Sequence, residues 1–271
     1  MKIKNNFRKS FALGTVALLV LSGCNDSFMD KYPETSISEE KFFRTAKDLE
    51  LYTNGMYGYI GSNYWDVASD NVLYAEEAGI YKTMRNEVNP DNSGTWGWGD
   101  IRTVNFMLAR AGNAEGDELE INHYVGLARM FRAKLYYDKV LTYSDVPWYS
   151  KDLQTTDTDL LFKPQDSRAM VVDSIMADLD FAVNHMKDDM GSSTIWNRYG
   201  ALAMQARIAL SEASWRKYHS ELELNDADKF YKIAIEACQK ILDSEKYSLS
   251  MTPSGEIPAY EALFCSEDLS T

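Results

Sequence analysis

The chain has 271 residues and carries 41 Asp and Glu against 28 Lys and Arg, a formal net charge of −13. That acidic excess argues against a nucleic-acid partner, which needs a clustered basic footprint, and a hydrophobic content of 45% argues against a disordered chain. Three cysteines and three histidines are too few for a disulfide scaffold, a zinc cluster or a His-centred active site, and no cofactor is expected.

The N-terminus carries the sharpest local signal. Lys2, Lys4, Arg8 and Lys9 form a basic region, and an apolar run follows over 11–21. This is the build of a secretory signal and falls short of the roughly 20 residues a spanning helix needs. It ends in Leu21-Ser22-Gly23-Cys24, which resembles the bacterial lipobox, with small residues before the cysteine to fit a narrow peptidase cleft. Residues 1–23 are therefore expected to leave as a lipoprotein signal peptide, and Cys24 to carry the acyl chains. Losing four of 28 basic residues and none of the 41 acidic ones moves the charge from −13 to −17. Such a body would not adhere to anionic lipid by its own charge, so several acyl chains must hold it, with 24–37 as a polar tether.

From residue 38 onward the pattern is helical. Ser38 reads as an N-cap with Ile37 and Phe42 as a hydrophobic staple, and Phe42, Ala46, Leu49, Met56 and Ile60 recur on one face. A Gly- and Asn-rich stretch over 61–99 interrupts the helices. Further helices are predicted near 100–111, 118–143, 167–187, 198–218 and 226–244, with a long connection through Pro147 and 152–159. Small pieces of sheet are expected only near 61–99 and beyond 245. Ala201, Ala203, Ala206 and Ala209 on one helix, and Ala234 and Ala237 on the next, let backbones approach closely. Paired helices with small residues at the contact resemble tetratricopeptide hairpins, so the expected fold is mainly α, a stack of helix pairs with long irregular loops.

Several segments read in order resemble the N-terminal half of the SusD/RagB family of nutrient-uptake lipoproteins of Bacteroidota. They begin with Cys24-Asn25-Asp26-Ser27-Phe28-Met29-Asp30 followed by Pro33, then Asn54-Gly55-Met56-Tyr57, then Trp98, Ile101, Asn105 and Leu108. Ala128-Arg129-Met130-Phe131-Arg132-Ala133, Tyr136-Tyr137 and Asp145-Val146-Pro147 form the best match. Ser144 stands there where the family usually has glycine. Ser167-Arg168, Ile175, Asp178-Leu179 and Ala182 match the following helix, and Tyr260, Leu263 and Phe264 the segment leading into a second half. The resemblance implies a SusD-like helical domain over 38–271 whose C-terminal half is missing, with apolar surface exposed near 245–271. It further implies a surface lipoprotein of the outer membrane that binds glycan and passes it to a SusC-like TonB-dependent transporter, without catalysis.

Weighed on their own, the residues point the same way. Neighbouring carboxylates are inevitable among 41 acids, and a glycosidase needs two at a fixed separation, so a lipid-anchored polysaccharide hydrolase is the alternative reading. His123, His185 and His219 read as surface or helix-end histidines, and Cys238 as a small core residue. Asn89, Asp91, Ser93, Gly94 and Asp100 fall at calcium-loop spacing, but Asp replaces the bidentate Glu and the same residues make ordinary turns. Tyr124, Phe131, Tyr136, Tyr137, Trp215 and Trp98 are expected to fill core. Only 61–99 supplies ring platforms and polar side chains together outside the helices. Trp65 and Trp96 are the candidate sugar platforms, with Asp70, Arg85 and Asn86 as hydrogen-bonding partners.

Overall fold

The computed structural model describes residues 42–60, 96–192, 194–249, 258, 259 and 261. Helix α1 spans Ala46–Met56, α2 Gly99–Arg110, α3 Glu118–Tyr143, the one-turn α4 Thr158–Leu161, α5 Arg168–His185, α6 Arg198–Tyr218 and α7 Ala227–Asp243. No strand occurs among the described residues, only the isolated bridges Thr45–Glu115 and Val146–Asp166. Each long helix packs chiefly on its neighbours: α1 and α2 on α3, α3 on α5, α5 on α6, and α6 on α7. This is a mainly α, tetratricopeptide-like stack of helix pairs.

Helix starts follow from side chains that take up orphan backbone donors. Asp117 accepts from the Leu119 N–H at 2.9 Å and Asn197 from the Gly200 N–H at 3.0 Å, which sets α3 and α6 to start where the pattern predicts. The first helix is a correction. Residues 42–44 bend, Phe43 takes φ +64°, and α1 opens with a capping box between Thr45 and Asp48. Ser38 lies outside the described residues.

The core runs through α3, whose apolar residues serve both sides. Tyr124, Leu127, Phe131 and Tyr136 are buried among neighbouring helices. At Gly126 an added Cβ would meet Met186 Cγ at 2.9 Å and the Ala182 Cα at 3.3 Å, so its missing side chain lets α3 and α5 approach. On α6, Ala201, Ala206 and Ala209 are buried as expected, but Ala203 faces solvent. On α7 the buried face is Phe230, Ala234 and Ala237, at i, i+4 and i+7. Cys238 falls just off that face and is exposed beside Ile235 (66%) and Leu242 (69%), which corrects its reading as core. Tyr247 and Leu249 are also exposed.

His123 is the second correction, being fully buried in the second turn of α3. Its Nδ1 accepts the Lys187 N–H at 3.1 Å and its ring meets Tyr124 edge-on at 4.8 Å. Burial, reinforced by the nearby Lys187 charge, lowers its pKa to about 4, so the ring is neutral at physiological pH. His185 and His219 do sit at helix ends, stacked on Phe181 and Trp215.

Candidate functional site

Two buried ion-pair networks hold the helices in register. In the first, Arg132 of α3 forks onto Asp178 of α5 through Nε and Nη2, both at 2.7 Å, and its Nη1 donates to Asn105 Oδ1 of α2 at 2.8 Å. Asn105 in turn donates from Nδ2 to the Tyr149 carbonyl at 2.8 Å. One charge pair thereby ties α2, α3 and α5 to the long connection after α3. In the second, Glu212 of α6 receives Arg168 of α5 at 2.8 Å and Arg216 at 2.8 Å, and Arg216 reaches on to Asp226 before α7. Bidentate geometry of this kind is what compensates removing such charges from water.

The connection over 144–167 is anchored at several points. Ser144 adopts φ +64°, ψ −78°, and the Asp145 N–H donates to the Tyr143 carbonyl at 2.9 Å, forming a γ-turn that a side chain strains. Asp145 then accepts the Arg168 N–H at 2.8 Å. The Tyr136 hydroxyl accepts the Tyr149 N–H at 2.6 Å, and burial raises its pKa. Asp166 accepts the Trp148 N–H at 2.7 Å and pairs with Lys163. Its carboxyl lies below the usual range because burial, which would raise it, is outweighed by these hydrogen bonds and the Lys163 charge.

Between this connection and the start of α2 lies a cleft of about 580 Å³, within the roughly 300–1,000 Å³ typical of small-molecule sites. Trp96, Trp98, Ile101, Pro147, Tyr149 and Leu161 form its apolar walls. Trp98 meets Trp96 edge-on at 5.2 Å and Tyr149 at 5.5 Å, and Lys139 lies behind it with Nζ 4.5 Å from the ring centroid. Burial depresses the Lys139 ammonium, against the opposing charges of Asp100 and Asp138. Asn105, Gln154, Thr155 and Gln165 add polar groups, and Arg102, Lys151 and Lys163 add cationic ones. Ring faces beside fixed hydrogen-bonding groups can hold a pyranose, whose C–H face stacks while its hydroxyls are read at the edge.

Of the sequence candidates, Trp96 lines this cleft and is 44% exposed. Trp65, Asp70, Arg85 and Asn86 lie outside the described residues, as do Cys24, Asn89, Asp91 and Ser93. Asp100 sits exposed in the first turn of α2, and the described residues contain no acid, His or Cys cluster able to hold a metal. Trp98 is a correction, because it is only half-buried and forms cleft wall where core was expected. It precedes the first turn of α2, so helical phase places its backbone but not its ring. Tyr149, Arg102, Lys151 and Lys163 were missed. They come from segments some forty residues apart with no shared period, and only the Asp145-Val146-Pro147 motif marks their neighbourhood.

No protein-family model matches the chain. A SusD-like protein of Formosa agariphila, P2, is 25% identical over 235 residues, covering 79% of this chain and 46% of the relative. The fold is shared with a crystal structure of a SusD-like protein from Bacteroides fragilis at TM-score 0.64 and 21% identity, covering 82% of this chain and 43% of that one. A SusD-like carbohydrate-binding protein, also from Bacteroides fragilis, matches at TM-score 0.61 and 16% identity over 78% of this chain and 43% of its own. The chain spans about half the length of the relatives it matches.

Proposed function

Because the chain belongs to the SusD-like family, we propose that it is a cell-surface lipoprotein that captures an oligosaccharide and delivers it to a SusC-like TonB-dependent transporter of the outer membrane. The observation that carries this reading is the cleft of Trp96, Trp98 and Tyr149 held open by the Arg132–Asn105–Tyr149 chain of hydrogen bonds. A rigid aromatic platform loses little entropy when a sugar docks on it, which favours binding over mere contact. Residues 1–23 are the lipoprotein signal, Cys24 the acylated residue, 24–37 the tether and 38–271 the SusD-like domain. Trp65, Asp70, Arg85 and Asn86 are proposed to extend the ligand face, and calcium at Asn89, Asp91, Ser93 and Asp100 is not part of the reading.

The protein is a binder and not an enzyme in this account. The described residues lining the cleft include no Asp or Glu, whereas glycosidases flank the scissile bond with two carboxyls. That makes the lipid-anchored hydrolase the weaker reading. A glycan-array screen of the full chain tests capture, and the same fractions assayed for reducing ends test turnover. Retention without turnover is expected, and steady release of reducing ends would replace this reading with the hydrolase. Membrane fractionation of Cys24→Ala checks the anchor: the variant should leave the membrane, and wild-type retention would refute lipidation at Cys24.

A further inference from the structure

We infer that the cleft selects an anionic oligosaccharide, one bearing carboxylate or sulfate groups, over a neutral one. The inference rests on the glycan reading above and adds the ligand's chemical class. In a chain where acids outnumber bases 41 to 28, the described cleft lining holds Arg102, Lys151 and Lys163 and not one carboxylate. The sign of the local charge is opposite to that of the chain.

Not all of that charge is available, and the difference identifies the residues that read the ligand. Lys163 is committed to Asp166 and to the Trp148 carbonyl at 2.9 Å. Asp152, behind the wall, has a side chain only 7% exposed and is held by Arg110 at 2.9 Å. Arg102 is left with a loose 3.9 Å contact to Asp152 and a side chain 64% exposed. Lys151 is exposed and forms no ion pair among the described residues. Arg102 and Lys151 are therefore cations at the mouth of an aromatic cleft, with donors to spare. A guanidinium fork matches a carboxylate or sulfate in two parallel hydrogen bonds, and an ammonium beside it adds a compact charge.

The negative charge of the whole chain does not cancel this selection. At physiological ionic strength the screening length is about 8 Å, so distant carboxylates contribute little at the cleft. Cations in contact with the ligand, set against apolar walls, act at short range with focused field. Trp96, Trp98 and Tyr149 would take the pyranose faces while Arg102 and Lys151 take the acidic substituent at the ring edge.

The test is an array binding assay with the full chain in detergent. It displays neutral glucans, mannans, xylans and galactans beside uronate-bearing and sulfated oligosaccharides, each acidic member also in carboxyl-reduced or desulfated form. Anionic members should bind at least about tenfold more tightly than their neutralised forms, and binding should weaken as salt is added. Arg102→Gln and Lys151→Gln should each weaken anionic binding by about tenfold, while Lys232→Gln on the exposed side of α7 should not. Uronate and sulfate members distinguish the two sources of charge. Equal binding of acidic and neutralised forms, or an anionic preference that survives both substitutions, overturns the inference and leaves glycan capture standing. Retention of no glycan by the wild type removes the capture reading itself, and this inference with it.

Discussion

The buried ion-pair frame and the cleft mouth use the same residue types to opposite ends. Arg132 and Arg168 are buried, forked onto carboxylates at 2.7–3.0 Å, and have no charge left to offer. Arg102 and Lys151 stand at the surface, Arg102 with only a loose 3.9 Å contact to Asp152. An arginine whose donors are all satisfied fixes where helices sit, and one whose donors are open is available to a ligand. The frame makes the mouth possible, because Asn105 carries the Arg132 interaction directly to the Tyr149 backbone at the cleft wall.

The largest expected effect comes from breaking the frame. Asp178→Ala strands Arg132 in the interior and should cost about 3–5 kcal/mol of unfolding free energy in urea. Arg102→Gln should cost well under about 1 kcal/mol. Similar losses for both would erase the distinction between frame and mouth.

Acid tests a different buried group. The His123 pKa is lowered in the fold to about 4 from an ordinary 6.5, so the unfolded chain binds its proton first. Its contribution is complete above pH 6.5 and is lost as pH falls toward 4, to a limit of about 3 kcal/mol. His123→Gln should flatten that part of the stability-against-pH curve relative to wild type. An unchanged slope between pH 6.5 and 4 would show that the ring is not held neutral.

Trp98 sharpens the comparison, since it belongs to both regions. Truncating an interface aromatic costs about 2 kcal/mol, so Trp98→Ala should weaken binding of an array-selected oligosaccharide roughly thirtyfold. It should lower Tm as well, because the ring also covers Tyr136 and Lys139. A lower Tm with intact affinity would return Trp98 to a purely structural role. A smaller effect than these is expected at the turn that ends α3. Ser144→Gly should raise stability by about 1 kcal/mol, because glycine adopts φ +64° without side-chain strain. Destabilisation would mean that the serine side chain compensates its strained backbone.

The residues of the frame were partly legible in the sequence, their pairing was not, and the mouth was not. Asn105, Arg132, Arg168 and Asp178 fall inside the motifs that carry the resemblance, while Glu212 and Arg216 fall in none, and the N-caps Asp117 and Asn197 stand where the periodicity of α3 and α6 begins. The position of Ser144 in a glycine-preferring site is visible as a departure, and the positive φ accounts for it. His123 and Cys238 were misassigned because burial on a helix depends on which neighbours arrive. His123 is covered by the chain around Lys187, far along the sequence, while nothing among the described residues covers the Ile235–Cys238–Leu242 side of α7. The cleft joins residues 96–105 to 147–165 through tertiary hydrogen bonds, and no local pattern announces that meeting. Of the five aromatic and polar residues picked from 61–99, Trp96 alone falls among the described residues, and it stands at the mouth.

Capture at the aromatic cleft is tested most directly by calorimetric titration of the full chain and of a Trp96→Ala/Trp98→Ala double variant with the tightest array-selected oligosaccharide. The double variant should bind at least about thirtyfold more weakly while its far-ultraviolet circular dichroism still reports a helical fold. Unchanged affinity in a folded double variant would contradict capture at this cleft and put the ligand elsewhere on the protein.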